Sequence, residues 1–88
     1  MQRRYPCHCC GFYTLKEEPN GSYEICPVGF WEDDLVQNRD PDYWGGANVP
    51  SLNEARRNFR ALGAMEARFL PYVRPPRKDE LPPGSDDG

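Results

Sequence analysis

Apolar residues in the first third of the chain occur in runs that are too short for helices and are separated by turn-forming residues. Residues 12–15 and 23–26 have the aromatic and β-branched composition of strands. Between them, residues 18–21 read Glu-Pro-Asn-Gly, a strong turn signal because glycine supplies a positive φ and asparagine tolerates one. The pattern predicts a β-hairpin followed by a third short strand at residues 30–31.

The apolar period changes to that of a helix after a long predicted loop over residues 33–50. Ser51 and Glu54 fit a capping box at the start of this helix, and Gly63 is placed to end it in a left-handed conformation. Apolar residues recur on one face between these caps, at Leu52, Ala55, Phe59 and Leu62. A shorter helix is predicted over residues 65–70.

Together these elements predict an α+β fold, in which a small zinc-ribbon-like β-hairpin with cysteine knuckles packs on one amphipathic helix. The 88-residue chain is long enough for one domain, assigned to residues 1–73. Residues 74–88 have almost no apolar content and are predicted to form a disordered tail. The predicted core consists of Phe12, Ile25, Phe30, Trp31, Leu52, Phe59 and Leu62.

Charge is unevenly distributed along this chain, whose net charge is −3. Residues 16–42 hold eight acids and two bases, whereas residues 51–78 hold seven bases and two acids. Acids in and beside the predicted loop form a candidate contact surface for a basic protein partner: Glu32, Asp33, Asp34, Asp40 and Asp42. The alternative is that these carboxylates cap turns of a solvated loop.

The four cysteines all lie in the first third of the chain, at Cys7, Cys9, Cys10 and Cys26. No apolar targeting segment precedes them and no apolar run reaches membrane-spanning length, so we expect a reducing cytoplasm and no membrane partner. In that compartment, clustered thiols are more often metal ligands or redox groups than disulfides. Cys7 to Gly11 has the C-x-x-C-G pattern of a zinc knuckle. A second knuckle begins at Cys26, but Gly29 stands where its second ligand would be.

Four segments carry a more specific pattern: residues 5–11 (YPCHCCG), 23–34 (YEICPVGFWEDD), 45–48 (GGAN) and 51–56 (SLNEAR). They resemble the cysteine-rich CPCC family, and the block around Trp31 is the most distinctive. The resemblance continues weakly through Phe59 and residues 72–76. It implies a small bacterial protein on a zinc-ribbon-like framework, without an established activity. The chain departs from the family at His8, which replaces the namesake proline, and at Gly29, which replaces the second-knuckle cysteine.

Several outcomes are open for the thiols. Zinc can be held by Cys7, Cys10 and Cys26, with Cys9 or His8 in the fourth place, or with an outside ligand such as water completing a three-thiolate site. The thiols can instead pack as small apolar groups without metal, or pair as a disulfide. The cofactor hypothesis is zinc, with all four cysteines as candidate ligands.

The functional prediction is a non-catalytic protein-interaction module, in the form of an acidic inhibitor or immunity-type partner of a basic protein such as a nuclease toxin. The only histidine, His8, lies inside the knuckle, so no separate Ser/His/Asp or Cys/His set can be assembled. The alternative is a zinc-ribbon nucleic-acid binder, because Arg56, Arg57 and Arg60 share the predicted helix. A thiol redox protein comes third, because no buried strand precedes the C-x-x-C motif. Trp44, if exposed, is predicted to anchor an interface.

Overall fold

A computed structural model describes residues 4–82 of the chain. Its helices are α1 (Leu35–Arg39), α2 (Leu52–Leu62) and two short 3-10 helices, Ala67–Tyr72 and Lys78–Glu80. Over residues 4–82 there is no β-strand, only two isolated antiparallel bridges, Tyr5 with Leu15 and Ile25 with Glu32. No helix in this part of the chain has the length and apolar content to span a membrane.

The predicted α+β fold with a zinc-ribbon hairpin is therefore wrong. Residues 12–15 and 23–26, predicted as paired strands, do not form a ladder with each other. Each segment instead bridges to the residues on the far side of a tight turn that contains cysteine. The chain is thus organised by turns and short helices.

Two local features explain why the hairpin does not form. The backbone is left-handed at Tyr23 (φ 63°) and at Phe30 (φ 72°), which interrupts the extended geometry on either side of Cys26. Where a ladder would join the two predicted strands, the Glu24 carboxylate accepts hydrogen bonds from the backbone amides of residues 16–17 at 2.9–3.1 Å. A side chain therefore replaces the backbone pairing.

Helix α2 confirms the predicted helix and both of its ends. The Ser51 hydroxyl accepts from the amide of Glu54 at 3.1 Å, and Gly63 closes the helix with φ 93°. Only half of the predicted capping box forms, because the Glu54 carboxylate pairs with Arg57 at 2.7 Å. The shorter helix predicted over residues 65–70 is the 3-10 helix Ala67–Tyr72, which contains Pro71.

Helix α1 lies in the segment predicted as a loop, and it begins at an aspartate cap. The Asp34 side chain accepts from the amide of Gln37 at 3.1 Å. Gln37 itself is fully buried, and its Nε2 lies 3.0 Å from the carbonyl oxygens of Tyr43, Asn48 and Pro50. The side-chain amide of Gln37 therefore fixes the loop that follows α1 at three of its carbonyl groups.

The apolar core surrounds the cysteines, and its buried members are Cys7, Cys9, Leu15, Cys26, Val28, Trp31, Leu52, Ala55 and Met65. Half-buried phenylalanines at residues 12, 30 and 59 pack against it. The predicted core is wrong for Ile25 and Leu62, which are 44% and 48% exposed. Ile25 adjoins the buried Cys26, and neighbouring residues of extended backbone point to opposite sides.

The C-terminal segment packs on the body beyond the predicted domain boundary at residue 73. Glu80 is buried, and its carbonyl oxygen accepts from the amide of Tyr13 at 2.7 Å. Its carboxylate is held by Arg74 at 2.8 and 2.9 Å. The predicted disordered tail is therefore wrong for residues 74–82, and residues 83–88 lie outside the described residues.

Candidate metal centre

The first cysteine turn, residues 7–12, closes on itself through two backbone hydrogen bonds. The amide of Gly11 donates to the Cys7 carbonyl at 2.8 Å, and the amide of Cys7 donates to the Phe12 carbonyl at 2.9 Å. Gly11 has φ 81°, a left-handed conformation that glycine adopts without steric cost. The amide of Cys9 lies 3.4 Å from Cys7 Sγ. The turn therefore has the knuckle geometry that the C-x-x-C-G pattern predicts.

The second cysteine turn, residues 26–31, repeats these hydrogen bonds. The amide of Phe30 donates to the Cys26 carbonyl at 2.8 Å, and the amide of Cys26 donates to the Trp31 carbonyl at 3.0 Å. The amides of residues 28–29 lie 3.4 and 3.5 Å from Cys26 Sγ. The second knuckle is present in the backbone, although it carries a single cysteine.

The two turns bring Cys7, Cys10 and Cys26 together, with their Sγ atoms within 4.8 Å of one another. The sulfurs of Cys10 and Cys26 are 3.7 Å apart. A tetrahedral ion with sulfur ligands at about 2.3 Å, the value for zinc, separates sulfur pairs by about 3.8 Å. The Cys10–Cys26 distance matches this value, and the 4.8 Å limit on the other pairs places all three cysteines where they could share one metal ion.

Hydrogen bonding within the cluster makes Cys26 its most acidic thiol. Hydrogen bonds from Cys10 and then from Cys7 lower the pKa of Cys26 far below its ordinary value, and the Thr14 hydroxyl at 3.0 Å adds to the effect. The same contacts raise the pKa of Cys7, chiefly through Cys10, and the pKa of Cys10, chiefly through Cys26. A metal ion bound to all three sulfurs would displace the protons that the thiols still carry.

Cys9, predicted as a further ligand, lies outside this group of three. It occupies the place in the first turn that Val28 occupies in the second, and both side chains are buried in the core. Burial raises the pKa of the Cys9 thiol, so the side chain behaves as a small apolar group. His8, the other candidate, has its Nε2 3.1 Å from the carbonyl oxygen of Pro19.

Gly29 stands at the place in the second turn that Cys10 occupies in the first, where a fourth cysteine of the cluster would be. A Cβ at Gly29 would lie 3.7 Å from Cys10 Cβ and 3.4 Å from the ring of Phe59. Both are ordinary van der Waals contacts, so there is room for a side chain beside the cluster. Within residues 4–82, Cys7, Cys10 and Cys26 are the only group of three or more His, Cys, Asp or Glu side chains with this metal-binding spacing.

The predicted acidic contact surface does not exist at Asp33 and Asp34, which are 1% and 7% exposed. Asp33 accepts from the amides of Gly21 and Ser22 at 2.9 and 2.8 Å. Asp34 caps α1 and also accepts from the amide of Ala47 at 2.8 Å. Burial alone would raise the pKa of Asp33, but these hydrogen bonds outweigh it and lower the pKa. The alternative that the aspartates cap turns is correct for this pair.

Two of the remaining predicted acids, Asp40 and Asp42, adjoin exposed aromatic residues in the chain. Asp40 and Asp42 are exposed, and Glu32 is half-buried. Beside the two aspartates, Tyr43 is 45% exposed and Trp44 is 57% exposed. The exposed part of the loop therefore combines two carboxylates with two large aromatic side chains.

Two contacts to the turns carry no sequence signal. Thr14 lies in a segment that was predicted as a strand, and nothing in its neighbours indicates a hydroxyl aimed at Cys26. Arg56 donates from Nε to the carbonyl oxygen of His8 at 2.9 Å, 48 residues away along the chain. Only the folded arrangement reveals either role.

The family model described as cysteine-rich CPCC matches residues 5–80, and the chain belongs to that family. The matched region holds both cysteine turns, α1, α2 and the buried Glu80. Among curated proteins, none matches the chain.

Proposed function

We propose that this member of the cysteine-rich CPCC family is a small non-catalytic interaction module whose fold is stapled by one zinc ion. The observation that carries the proposal is the convergence of Cys7, Cys10 and Cys26 at the junction of two knuckle-shaped turns. The cysteine sulfurs are soft ligands, which favour zinc over cations that prefer oxygen. Their spacing also suits the tetrahedral coordination typical of structural zinc sites.

The small size of the folded body explains why a staple is useful. A domain of fewer than about 80 residues rarely obtains enough stability from its core alone. Zinc bound to Cys7, Cys10 and Cys26 would link the two turns. An exogenous ligand would occupy the fourth position, because Gly29 offers none. The proposal includes a cytoplasmic location, because a reducing compartment keeps these thiols available.

Metal content and the unfolding temperature test this part of the proposal. Protein purified without added metal should contain about one zinc per chain, and a chelator should lower its unfolding temperature. Gly29→Cys should tighten zinc binding at least about tenfold, because it supplies a fourth thiolate. The assay needs a reductant, because a Cβ at residue 29 lies within disulfide distance of Cys10. If the purified protein contains no metal and a chelator does not change its unfolding temperature, the hypothesis of a stabilising zinc ion is rejected.

The loop of residues 40–49 is the proposed partner surface. Its tip presents Trp44, Tyr43 and Val49, all roughly half exposed. The buried Gln37 and Asn48 hold the loop in place, with the Gln37 Oε1 accepting from the Asn48 backbone amide at 3.1 Å. A rigid loop with exposed aromatic residues is typical of an interface anchor, because little conformational entropy is lost on binding.

Asp40 and Asp42 beside the aromatic tip favour a basic partner, in line with the predicted inhibitor or immunity-type role. Affinity capture from the native cell should retain a basic protein. Trp44→Ala should release it, whereas Tyr72→Ala, which removes an aromatic side chain that is exposed at least as much in the 3-10 helix Ala67–Tyr72, should not. If both variants capture the partner equally well, this loop is not the interface.

The arginines of α2 support a protein partner over nucleic acid. Arg56 is engaged with the carbonyl of His8, and Arg57 is paired with Glu54. Binding of phosphate backbones draws on unpaired cations along one face. Of the three arginines that suggested nucleic-acid binding, two therefore have structural contacts.

A further inference from the structure

A second concave site lies where the N-terminal segment meets the C-terminal segment, and neither the proposed metal nor the proposed partner surface accounts for it. It is an open pocket of about 400 Å³. Its polar lining consists of Arg4, Thr14, Lys16, Arg74, Arg77 and Glu80. Volumes of roughly 300–1,000 Å³ are typical of sites for small ligands. We call this site the basic pocket.

The single carboxylate in the lining of the basic pocket, Glu80, is already satisfied. Its Oε1 accepts from Arg74 Nη1 at 2.9 Å and from the backbone amide of Arg77 at 2.8 Å. Its Oε2 accepts from Arg74 Nη2 at 2.8 Å and from Arg4 Nη1 at 3.4 Å. Glu80 is buried, and the bidentate pair with Arg74 neutralises one positive charge of the lining.

The remaining lining has a surplus of positive charge. Four cationic side chains surround the one carboxylate of Glu80. Asp79 is largely exposed, and its carboxylate is 4.0 Å from Arg4. Counting Asp79 still leaves two positive charges uncompensated. This concentration of cations occurs in a protein whose net charge is −3, so it does not reflect a basic chain as a whole.

Lys16 and Arg77 carry that surplus. Over residues 4–82, no carboxylate lies within 4.0 Å of either charged group, since the ion pairs in this region involve other cations. Both residues are exposed and neither belongs to the core. Like charges at one pocket repel each other unless an anion joins them.

We propose that the basic pocket binds a phosphoryl group, with Lys16 and Arg77 as its principal ligands and Arg4 as a third. A phosphoryl dianion matches the surplus of two charges better than a carboxylate does. Guanidinium groups bind it through paired hydrogen bonds, and lysine adds a point charge. The volume of the pocket leaves room for the molecule or side chain that carries the phosphoryl group.

Calorimetric titration of the full-length protein at low ionic strength tests the proposal. The probes are inorganic phosphate, a nucleoside monophosphate and a phosphoserine tripeptide, with acetate and the unphosphorylated tripeptide as controls. Lys16→Gln combined with Arg77→Gln should weaken phosphoryl binding at least about tenfold, because two charge-assisted contacts are lost. The matched control is Arg39→Gln combined with Arg60→Gln, which makes the same charge change outside the pocket and should leave the affinity unchanged.

Each result has a defined meaning. Stronger binding of the tripeptide than of the nucleotide assigns the pocket to phosphorylated proteins, and the reverse order assigns it to phosphorylated small molecules. The proposal is overturned if no phosphorylated probe binds, if acetate binds equally well, or if both double variants weaken binding to the same extent. Zinc content does not enter any of these outcomes, so failure here is separate from failure of the metal staple.

Discussion

The first and second cysteine turns have the same backbone hydrogen bonds but differ in the chemistry of their side chains. The first turn contributes two cysteines to the thiol cluster and has a glycine at its left-handed position. The second turn contributes one cysteine and has Gly29 at the place of the other, with Phe30 at the left-handed position. The second turn therefore keeps the knuckle backbone without its second cysteine. In this protein the backbone conformation of the turn does not depend on having both cysteines.

The contacts that hold each turn explain this separation. A side chain of α2 holds the first turn, where Arg56 Nε donates to the carbonyl of His8 at 2.9 Å. Backbone amides from the C-terminal half hold the second turn, where Arg74 donates to Pro27 at 3.2 Å and Met65 donates to Gly29 at 2.9 Å. The second turn thus has fewer thiols and more backbone contacts.

Aromatic packing adds a further difference between the turns. The ring of Phe30 stacks on Phe69 with centroids 4.4 Å apart, whereas Gly11, at the same place in the first turn, has no side chain. A phenylalanine at φ 72° is strained by about 1–2 kcal/mol. The stacked ring offsets that strain, so Phe30 compensates for a conformation that Gly11 adopts without cost.

Removing the one thiol of the second turn should have the largest effect. Cys26→Ala should abolish stoichiometric zinc binding and remove the zinc-dependent part of the unfolding free energy, because Cys26 is the only proposed ligand from that turn. Elemental analysis and unfolding with and without zinc measure both effects. The control is Cys9→Val, which copies the residue at the matching place in the second turn and should retain the metal. Loss of zinc from the control would show that Cys9 is a ligand.

Phe59→Ala should have the next largest effect, because this side chain touches both turns. Its ring lies edge-on to Phe12, with centroids 6.2 Å apart, and it borders Gly29. We expect a loss of about 2–4 kcal/mol in unfolding free energy from urea denaturation. Leu62→Ala, on the same helix but 48% exposed, should cost less than about 1 kcal/mol. Equal losses would mean that α2 does not bridge the turns through Phe59.

Acid should weaken the ion pairs that hold the buried Glu80 of the C-terminal segment to Arg74 and Arg4. Hydrogen bonds from Arg74 lower the pKa of Glu80, so its contribution to stability is fully present above the carboxyl's unfolded pKa and is lost as the pH falls through the lower folded value. Glu80→Gln should cost about 2 kcal/mol at neutral pH, since both arginine partners are partly exposed. Unfolding measured from pH 6 to pH 3 should show a smaller slope for this variant than for the wild type. Identical slopes would assign the acid sensitivity to other carboxylates.

The smallest effect distinguishes the two turns by backbone conformation alone. Gly11→Ala should cost about 1 kcal/mol, because φ there is 81° while the added methyl group meets nothing within 4 Å. Gly29→Ala should be within about 0.5 kcal/mol of the wild type, because its backbone is not left-handed and its methyl group fits against Phe59. Thermal unfolding of the two variants under the same conditions makes the comparison. A larger loss at Gly29 than at Gly11 would contradict the assigned geometry.

The features that could be predicted from the sequence are those with local causes. Ser51 and Gly63 define α2 because capping depends on neighbouring residues, and the C-x-x-C-G pattern defines the first turn for the same reason. Cys26 could be assigned to the cysteine cluster because the Cys-Pro-Val-Gly segment repeats half of that pattern. The resemblance to the CPCC family is confirmed by the match over residues 5–80, which extends past the predicted boundary at residue 73.

The features that could not be predicted depend on distant partners. Tyr23 and Ile25 have strand composition, but strand propensity gives way where a side chain such as Glu24 takes over the backbone hydrogen bonds. Asp33 and Asp34 look like a charged surface until the amides that they bind are known. The segment from Arg74 to Glu80 lacks apolar residues and packs through ion pairs, which composition does not register.

The contact between Arg4 and Glu80 spans 76 residues and also bears on the order in which the chain folds. The cost of closing a loop grows slowly with its length, but the closure itself waits until both ends exist. On a ribosome, the three clustered cysteines and both turns emerge long before Glu80 does. The thiol cluster can therefore assemble while the chain is still being made, whereas the contact between Arg4 and Glu80 forms only after Glu80 has been synthesised.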